Sequence, residues 1–369
     1  METFFYVGTY TQPIHFGTGE VLLGKGEGIY CIALDHDTGT ARVVHVNPSV
    51  PNPSFLCCSG QGFLWAVSEL KEYEGMASGA VSSFRIHRGS LALERINTVQ
   101  TMGENPCYVS VDPESGLLFA ANYSSGSLSV FPVNGDGSLE PVCQLITRVG
   151  SGPRADRQEG PHVHCAVPLP GMSRVLACDL GTDRICEYPI RPDNSRLSED
   201  LVRENAAPAG SGPRHLAFSA GLDVCYVSLE LSSGILTLRR DGSGWTPVQT
   251  VDSCDKSHTG GAHIENLCAD IHLTPDGRFL YCSNRGRDCI SAFAVAPDGT
   301  LRHRGDFPSN GRTPRSFCVD PSGAYLLCAN QDSDNVSIFR IRQEDGGLEL
   351  TGAVAIPTPV NVVALPELD

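Results

Sequence analysis

One phrase recurs along this chain at intervals of about 45–55 residues, the length of a single repeat unit of short strands. It consists of an apolar strand, a turn of the Asp-Pro-x-x-Gly kind, and a second apolar strand that ends in a small residue followed by a polar one. The clearest copy runs from Pro106 through Asp112-Pro113-Glu114-Ser115-Gly116 to Asn122. It returns from Asp270 through Thr274-Pro275-Asp276-Gly277 to Asn284, and from Pro314 through Asp320-Pro321-Ser322-Gly323 to Asn330. Looser copies begin at Pro53, Pro161 and Pro213. A repeat of this length made of short strands specifies an all-β propeller with one four-stranded antiparallel blade per repeat. Equivalent loops of all blades then converge on one end of a central channel, and a site is expected there.

The copies begin at Pro53, Pro106, Pro161, Pro213, Ala269 and Pro314. The last segment, Pro359 to Pro366, resembles only a first strand. Phe4-Phe5-Tyr6-Val7-Gly8-Thr9 supplies a second strand and Gly28 to Leu34 a third. Joining the termini in one blade gives a closed seven-bladed β-propeller, a single domain over residues 1–369. An open ring would leave unpaired strand edges, which template aggregation. The segments Leu128-Ser129-Val130-Phe131, Ile290-Ser291-Ala292-Phe293 and Val336-Ser337-Ile338-Phe339 alternate as half-buried third strands do. No segment sustains a helical period. The 39 Gly and 25 Pro suit a fold full of tight turns.

Composition narrows the function. No stretch approaches the ~20 apolar residues that span a bilayer, so no membrane partner is expected. The start, Met1-Glu2-Thr3-Phe4-Phe5, lacks a basic leader region and runs straight into a strand, so a cytoplasmic location is expected. The 15 Cys fall mostly inside apolar strands, as Cys31, Cys225, Cys282, Cys318 and Cys328 do. There they read as reduced core thiols. The net charge of -15 without a basic patch argues against nucleic acid. An acidic surface also repels anions, so any anion site must be a local cluster of Arg and His in a cleft.

Aligning the copies gives polar columns. The second strand closes on Thr9, Glu69, Asn122, Asp179, Glu230, Asn284 and Asn330, followed by Tyr10, Leu70, Tyr123, Leu180, Leu231, Arg285 and Gln331. The first strand opens on Ser54, Cys107, His162, Arg214, Asp270, Arg315 and Val360. Asn122, Asn284 and Asn330 read as local turn caps; at the same level, Asn122, Gln158, Asp179, Asn284 and Arg315 are candidates for substrate binding. Glu230, His162, Arg214 and Arg285 break the pattern of their columns. A charged side chain directed into a narrow channel needs a partner or a ligand.

The densest constellation is the polar loop Arg154-Ala155-Asp156-Arg157-Gln158-Glu159-Gly160 leading into Pro161-His162-Val163-His164. Alternate strand residues share a face, so His162 and His164 are expected to point the same way. The pair is open to three readings: metal ligands, a structural His bonded to the blade, or an acid–base or electrophilic His over a substrate. No His or carboxylate cluster completes a metal set, so no metal is expected. Gly24-Lys25-Gly26-Glu27-Gly28 lacks the spacing and context of a phosphate loop and reads as the approach to a strand. No Gly-x-Ser-x-Gly elbow supports serine catalysis.

Several stretches together resemble the propeller lactonase family, which contains the bacterial seven-bladed 6-phosphogluconolactonases and the fungal carboxy-cis,cis-muconate cyclases. They are Tyr6-Val7-Gly8-Thr9-Tyr10-Thr11, Asn52-Pro53-Ser54-Phe55-Leu56, Gly160 to His164, Gly212-Pro213-Arg214-His215-Leu216, Ala269 to Tyr281, and Ser283-Asn284-Arg285-Gly286. The resemblance covers nearly the whole chain. It implies a lactone hydrolase without cofactor, most similar to 6-phosphogluconolactonase in carbohydrate metabolism, opening 6-phospho-D-glucono-1,5-lactone to 6-phosphogluconate. The alternative is a muconate-cyclising enzyme. The implied partner is a small anionic lactone or muconate, with the protein a monomer or weak homodimer. In the muconate cyclases a His, two Arg and a Glu of the channel mouth are implicated in lactone chemistry. The matching positions are His162 or His164, Arg214, Glu230 and Arg285. The loop from Tyr10 to Glu27 and the segment Leu70 to Gly75 follow second strands and are expected to shape the pocket.

Lactone hydrolysis requires a base for water, donors for the oxyanion, and a proton for the leaving alkoxide. Glu230 or one His can serve as base, and Arg214 or Arg285 as donor to the oxyanion or to a substrate phosphate or carboxylate. For a muconate, Arg would clamp carboxylates while His or Glu supplies a proton at carbon. The opposed reading is a non-enzymatic propeller that binds peptides. It calls for an aromatic rim, whereas this chain holds 2 Trp and 10 Tyr.

Overall fold

The computed structural model describes residues 1–15, 21–48, 50–242, 244–255 and 265–367. The fold is a seven-bladed β-propeller of four-stranded antiparallel blades. Blade I combines Pro359–Ala364, Glu2–Thr9, Ile29–Asp35 and Thr40–Asn47 in that spatial order. The other six run in chain order. Blade II begins at Leu56–Cys58, blade III at Pro106–Asp112, blade IV at Val163–Leu169, blade V at Pro213–Phe218, blade VI at Leu267–Leu273 and blade VII at Pro314–Val319. The C-terminal strand therefore lies beside the N-terminal one, as the two orphan strands of the sequence require. Among the described residues the helical content is two short 3-10 turns, Glu199–Leu201 and Gln331–Ser333. A two-stranded hairpin, Ile14–His15 with Val21–Leu22, stands in the loop between Tyr10 and Glu27, of which residues 16–20 lie outside the described residues.

The sequence leads to one domain over 1–369; the fold groups into two compact units. One comprises Met1–Val7, Ile32–Val44 and Pro213–Ala364, the other Gly8–Cys31, His45–Gly212 and Leu365–Asp369. In the second unit, Phe63, Trp65, Val81, Leu118 and Phe131 join blades II and III, while Phe119, Val130, Val163, Val175 and Tyr188 join blades III and IV. In the first unit, Tyr226, Ile271, Leu280 and Phe293 join blades V and VI, and Tyr281, Ile290, Phe317 and Phe339 join blades VI and VII. Second strands such as Leu117–Asn122 and Tyr325–Asn330 are buried throughout, because neighbouring blades cover both of their faces. This explains why they read as continuous apolar runs rather than as alternating ones. Outer strands such as Thr40–Asn47 are half exposed.

The third strands differ from expectation. Their alternation does not mark half-burial, since Ser127–Pro132 is buried along all but its last residue. The alternating serines are interior acceptors for the repeated asparagines. Asn122 Nδ2 donates to Ser129 Oγ at 2.8 Å, Asn284 Nδ2 to Ser291 Oγ at 3.0 Å, and Asn330 Nδ2 to Ser337 Oγ at 2.9 Å. The repeated turn has an equally local cause. Asp112 Oδ2 accepts from Ser115 Oγ at 2.7 Å, and Gly116 closes the turn at φ +69°. Asp320 and Gly323 (φ +73°) repeat the arrangement. A glycine suits these positions because L side chains are strained there.

A clasp recurs between neighbouring blades. Trp65 Nε1 donates to Gly137 O at 3.1 Å. Tyr226 Oη donates to Gly299 O, and Tyr281 Oη to Gly346 O, both at 2.8 Å. Each buried aromatic thus spends its polar tip on an outer turn of the next blade.

Removing residues 359–369 strips Glu2–Thr9 of its neighbour and exposes the sites filled by Val360 and Val362, both buried. Burying a valine is worth ~1.5–3 kcal/mol, so the truncation is expected to cost about 3 kcal/mol or more. Urea unfolding of the two forms checks this; equal midpoints would refute the closure.

Candidate active site

The first strand of a blade breaks register near its start in five blades. Pro106 pairs with Asn122 and Tyr108 with Ala121, which leaves Cys107 as the extra residue. The same irregularity sets out His164 between Val163 and Cys165, and Arg315 between Pro314 and Ser316. In blades V and VI two residues oppose one: Arg214 and His215 face Ser228, and Ala269 and Asp270 face Ser283. A β-bulge leaves a residue unpaired and re-aims its side chain. The polar column of first strands is thus a column of bulges. Two positions in the sequence alignment shift accordingly. His164, not His162, occupies the bulge of blade IV. Glu230 follows the strand Val224–Leu229, so it matches Arg285 of blade VI rather than Asn284, given that Pro213 pairs with Leu229 and Cys268 with Asn284.

In the unit containing blades V to VII, the structure brings Arg214, Glu230 and Arg285 together. Arg214 Nε lies 3.0 Å from Glu230 Oε2, and Arg285 Nη2 lies 2.8 Å from the same oxygen. The side chains of Arg214 and Glu230 are each 3% exposed and that of Arg285 is 15% exposed. Two guanidiniums on one carboxylate leave an excess positive charge in a place water hardly reaches. Burial pulls the Arg285 guanidinium down to about 10, against the attraction of Glu230, and Arg214 and Arg315 repel it further. Arg285 remains a cation at neutral pH. Its Nη2 also donates to Cys268 O at 3.4 Å, while its buried Nε meets no acceptor among the described residues.

Arg214 is braced from behind by groups that the sequence did not single out. Its Nη1 lies 3.2 Å from His215 Nε2, and His215 Nδ1 lies 2.8 Å from Asp270 Oδ1. A carboxylate accepts, so Nδ1 carries the proton and Nε2 presents its lone pair to the arginine. Burial, and then the nearby Arg214, push His215 down to about 4, against the pull of Asp270. Asp270 in turn accepts from Ser316 Oγ at 2.8 Å and stands 3.2 Å from His272 Nε2. Burial opposes its charge, yet His272 and His215 hold its carboxyl well below the usual range. The available signal was that Asp270 lies in the first-strand column and that His215 follows Arg214 directly.

In the other unit, His162 and His164 share one aromatic neighbour. His162 stacks on Tyr123 with centroids 4.5 Å apart at 11°, and His164 meets the same ring edge-on at 5.6 Å and 79°. His162 Nδ1 donates to Tyr123 O at 2.9 Å, and its Nε2 lies 3.2 Å from Glu159 Oε1. His164 Nδ1 lies 3.8 Å from Cys107 Sγ. Arg157 Nη2 donates to Tyr123 Oη at 3.1 Å. The loop before the pair is held by Gln158, whose Nε2 donates to Leu180 O at 2.8 Å and Asp183 Oδ1 at 2.9 Å. Gly181 permits the close approach, since a Cβ there would collide with the Gly160 carbonyl.

The substrate-binding candidates divide. Asn122 and Asn284 are fully buried; Asn122 donates to Ser127 and Ser129 of its own blade, and Asn284 to Ser291 of its own blade and to Ser253 O of blade V. Gln158 holds its loop in the same way. Asp179 Oδ1 accepts from the backbone of His162 at 2.8 Å and Gly181 at 3.1 Å, which fixes the turn beside His162. Arg315 alone retains partial exposure, in a bulge whose charge reaches Arg285. Tyr10 and Glu69 form a further pair, Oη to Oε2 at 2.9 Å. Among the described residues no three His, Cys, Asp or Glu side chains are grouped to hold a metal ion, and no helix is long and apolar enough to cross a membrane.

Residues 4–364 match the family model described as "Lactonase, 7-bladed beta-propeller". The chain belongs to this lactonase family. The lactonase is 31% identical to the 6-phosphogluconolactonase of Bacillus subtilis (strain 168) over 364 residues, 97% of either chain. Its fold superposes on the periplasmic gluconolactonase PpgL of Pseudomonas aeruginosa with a TM-score of 0.86 and 32% identity, covering 99% of each chain. A protein from Lactobacillus plantarum gives a TM-score of 0.88 at 31% identity, covering 99% of this chain and 100% of the other. The family and the enzyme class expected from the sequence motifs are therefore those of the chain, a lactone hydrolase.

His215 of the lactonase offers a pH test. Its folded value of about 4 lies below the ordinary 6.5, so between these values the unfolded chain binds a proton that the folded chain refuses. Its contribution is complete above about pH 6.5 and falls as pH drops towards about 4. The loss should be on the order of a few kcal/mol. Urea unfolding across this range is expected to show the decline, and His215→Gln to flatten it. An unchanged slope in the variant would refute the assignment.

Proposed function

We propose that this lactonase hydrolyses an anionic sugar δ-lactone, 6-phospho-D-glucono-1,5-lactone, to the open 6-phosphogluconate. The observation that carries the reading is the single Glu230 oxygen held by Arg214 and Arg285. In a chain of net charge -15, a local surplus of buried cations is costly unless it receives an anion. The 6-phosphogluconolactonase of Bacillus subtilis supports the same substrate class. A cytoplasmic site of action suits a protein whose 15 cysteines are all free.

The chemistry follows from the groups present. Water attacks the lactone carbonyl as Glu230 takes its proton. The carbonyl oxygen gains a full negative charge, and the Arg285 guanidinium, with its unmet Nε donor, stabilises that charge. The C–O bond to the ring oxygen then breaks, and the leaving alkoxide recovers the proton. Arg214 and Arg315 supply the charge for the phosphate.

Purified protein should be assayed against phosphorylated and unphosphorylated δ-lactones, with acid release read by a pH indicator above the spontaneous rate. The phosphorylated lactone is expected to give the higher kcat/KM. Arg285→Ala and Glu230→Gln should each lower turnover by ~10²–10³, and the double variant by much less than the product. Parental rates in both variants would overturn the site. Preference for an unphosphorylated lactone would move the substrate towards that of a gluconolactonase.

Exhaustive chelation is expected to leave the rate unchanged, because the described residues offer no ligand set for a catalytic metal. Loss of activity restored by one divalent ion would show otherwise.

A further inference from the structure

A half-open cavity of about 400 Å³ lies between blades V and VI and is unused by the lactone chemistry. It is lined by two thiols, Cys254 and Cys289, together with Arg287, His303 and Asp306. Cys254 follows the outer strand Gly244–Asp252 of blade V, and Cys289 opens the third strand, Cys289–Val295, of blade VI. The two thiols line the same cavity. Their surroundings are built rather than incidental. Ser253, just before Cys254, donates from its backbone to Ser233 O at 2.9 Å and from Oγ to Asn284 Oδ1 at 2.6 Å. Cys289 sits in register with Asn284 on one side and Pro308 on the other. Asp306 ties the cavity wall by accepting from Asp255 N at 2.8 Å and from His303 Nε2 at 2.7 Å. Arg287 spans the rim through Nη2 to Asp255 O at 3.1 Å.

We propose that Cys254 and Cys289 form a dithiol site that a hydroperoxide oxidises to a disulfide, with Cys254 as the attacking sulfur and Cys289 as the resolving one. The asymmetry of the pair assigns the roles. The interaction with Cys289 holds the Cys254 thiol below its usual value, against burial and the nearby Asp306 and with help from Arg287. Cys289 is pushed up by the same interaction and by burial. The thiolate is the nucleophile, and a lowered thiol value favours it. In the first step Cys254 attacks one peroxide oxygen, the O–O bond breaks, and a sulfenic acid forms as hydroxide departs and takes up a proton. In the second step the Cys289 sulfur attacks Cys254, the S–O bond breaks, and the hydroxyl leaves as water with the Cys289 proton. The sulfur pair loses two electrons and the hydroperoxide gains them. The contrast with Cys268 and Cys282 is informative. They also interact with each other, but both are fully buried within the sheet of blade VI.

The full chain should be treated with a small excess of hydrogen peroxide, alkylated, and mapped by mass spectrometry. The expected result is a loss of two hydrogens in one linked peptide pair containing Cys254 and Cys289, reversed by dithiothreitol. Cys289→Ser should instead accumulate a dimedone-reactive sulfenic acid at Cys254, and Cys254→Ser should give neither product. The wild-type map stands even if a variant fails to fold. Oxidation confined to the partly exposed Cys57, Cys58, Cys143 or Cys318 would overturn the proposal, as would a linked pair elsewhere. Dimedone capture at Cys289 in Cys254→Ser would overturn the assigned roles. Lactone turnover plays no part in the readout, so failure here is separable from failure of the proposed activity.

Discussion

A sheet that is apolar on both faces cannot stand alone, and each blade of this protein is such a sheet. The second strands are the clearest case. Leu117–Asn122 and Val224–Leu229 are buried at every residue, so each needs a neighbouring blade on either side. The clasps from Trp65, Tyr226 and Tyr281 to glycine carbonyls of the following blade fix how neighbours engage. They also satisfy polar tips that would otherwise be stranded in the core. The edge left over at each chain end is covered by pairing Pro359–Ala364 with Glu2–Thr9.

Within that frame the asparagine–serine pairs keep second and third strands in register, and the bulges of first strands do the opposite. A regular ladder would pair Arg214, His215 and Asp270 like any other strand residues. The irregularity frees them to face one another. The outcome is a buried chain from Glu230 through Arg214 and His215 to Asp270 and Ser316. Buried charge is tolerated only when each member has a partner. Here the carboxylates and the neutral histidine supply partners in sequence, and Arg285 is the more exposed of the two guanidiniums, at 15% against 3%. Stability and the proposed substrate recognition therefore draw on the same charges.

The site residues that broke their columns, Arg214, Glu230 and Arg285, were legible because a charged residue where repeats keep Asn or Leu has no framework reason to be there. His215 was hidden because its importance lies in what it braces across two blades, and that contact spans 55 residues of sequence. Asn122, Asn284, Gln158 and Asp179 read in the sequence as candidate ligand-binding polar groups, and the sequence shows a polar side chain but not its partner. Their partners are Ser129, Ser291, Asp183 and the backbone at His162.

The sequence by itself determined the repeat, the all-β class, the blade count, the joining of the termini and the family. Each of these follows from local patterning: strand length, turn chemistry, and an incomplete copy at either end. Only the tertiary structure decided which residue of each first strand is the extra one. A single inserted residue flips every later side chain to the other face, and nothing in a one-dimensional pattern marks where the slip occurs. That slip put His164 rather than His162 in the bulge of blade IV.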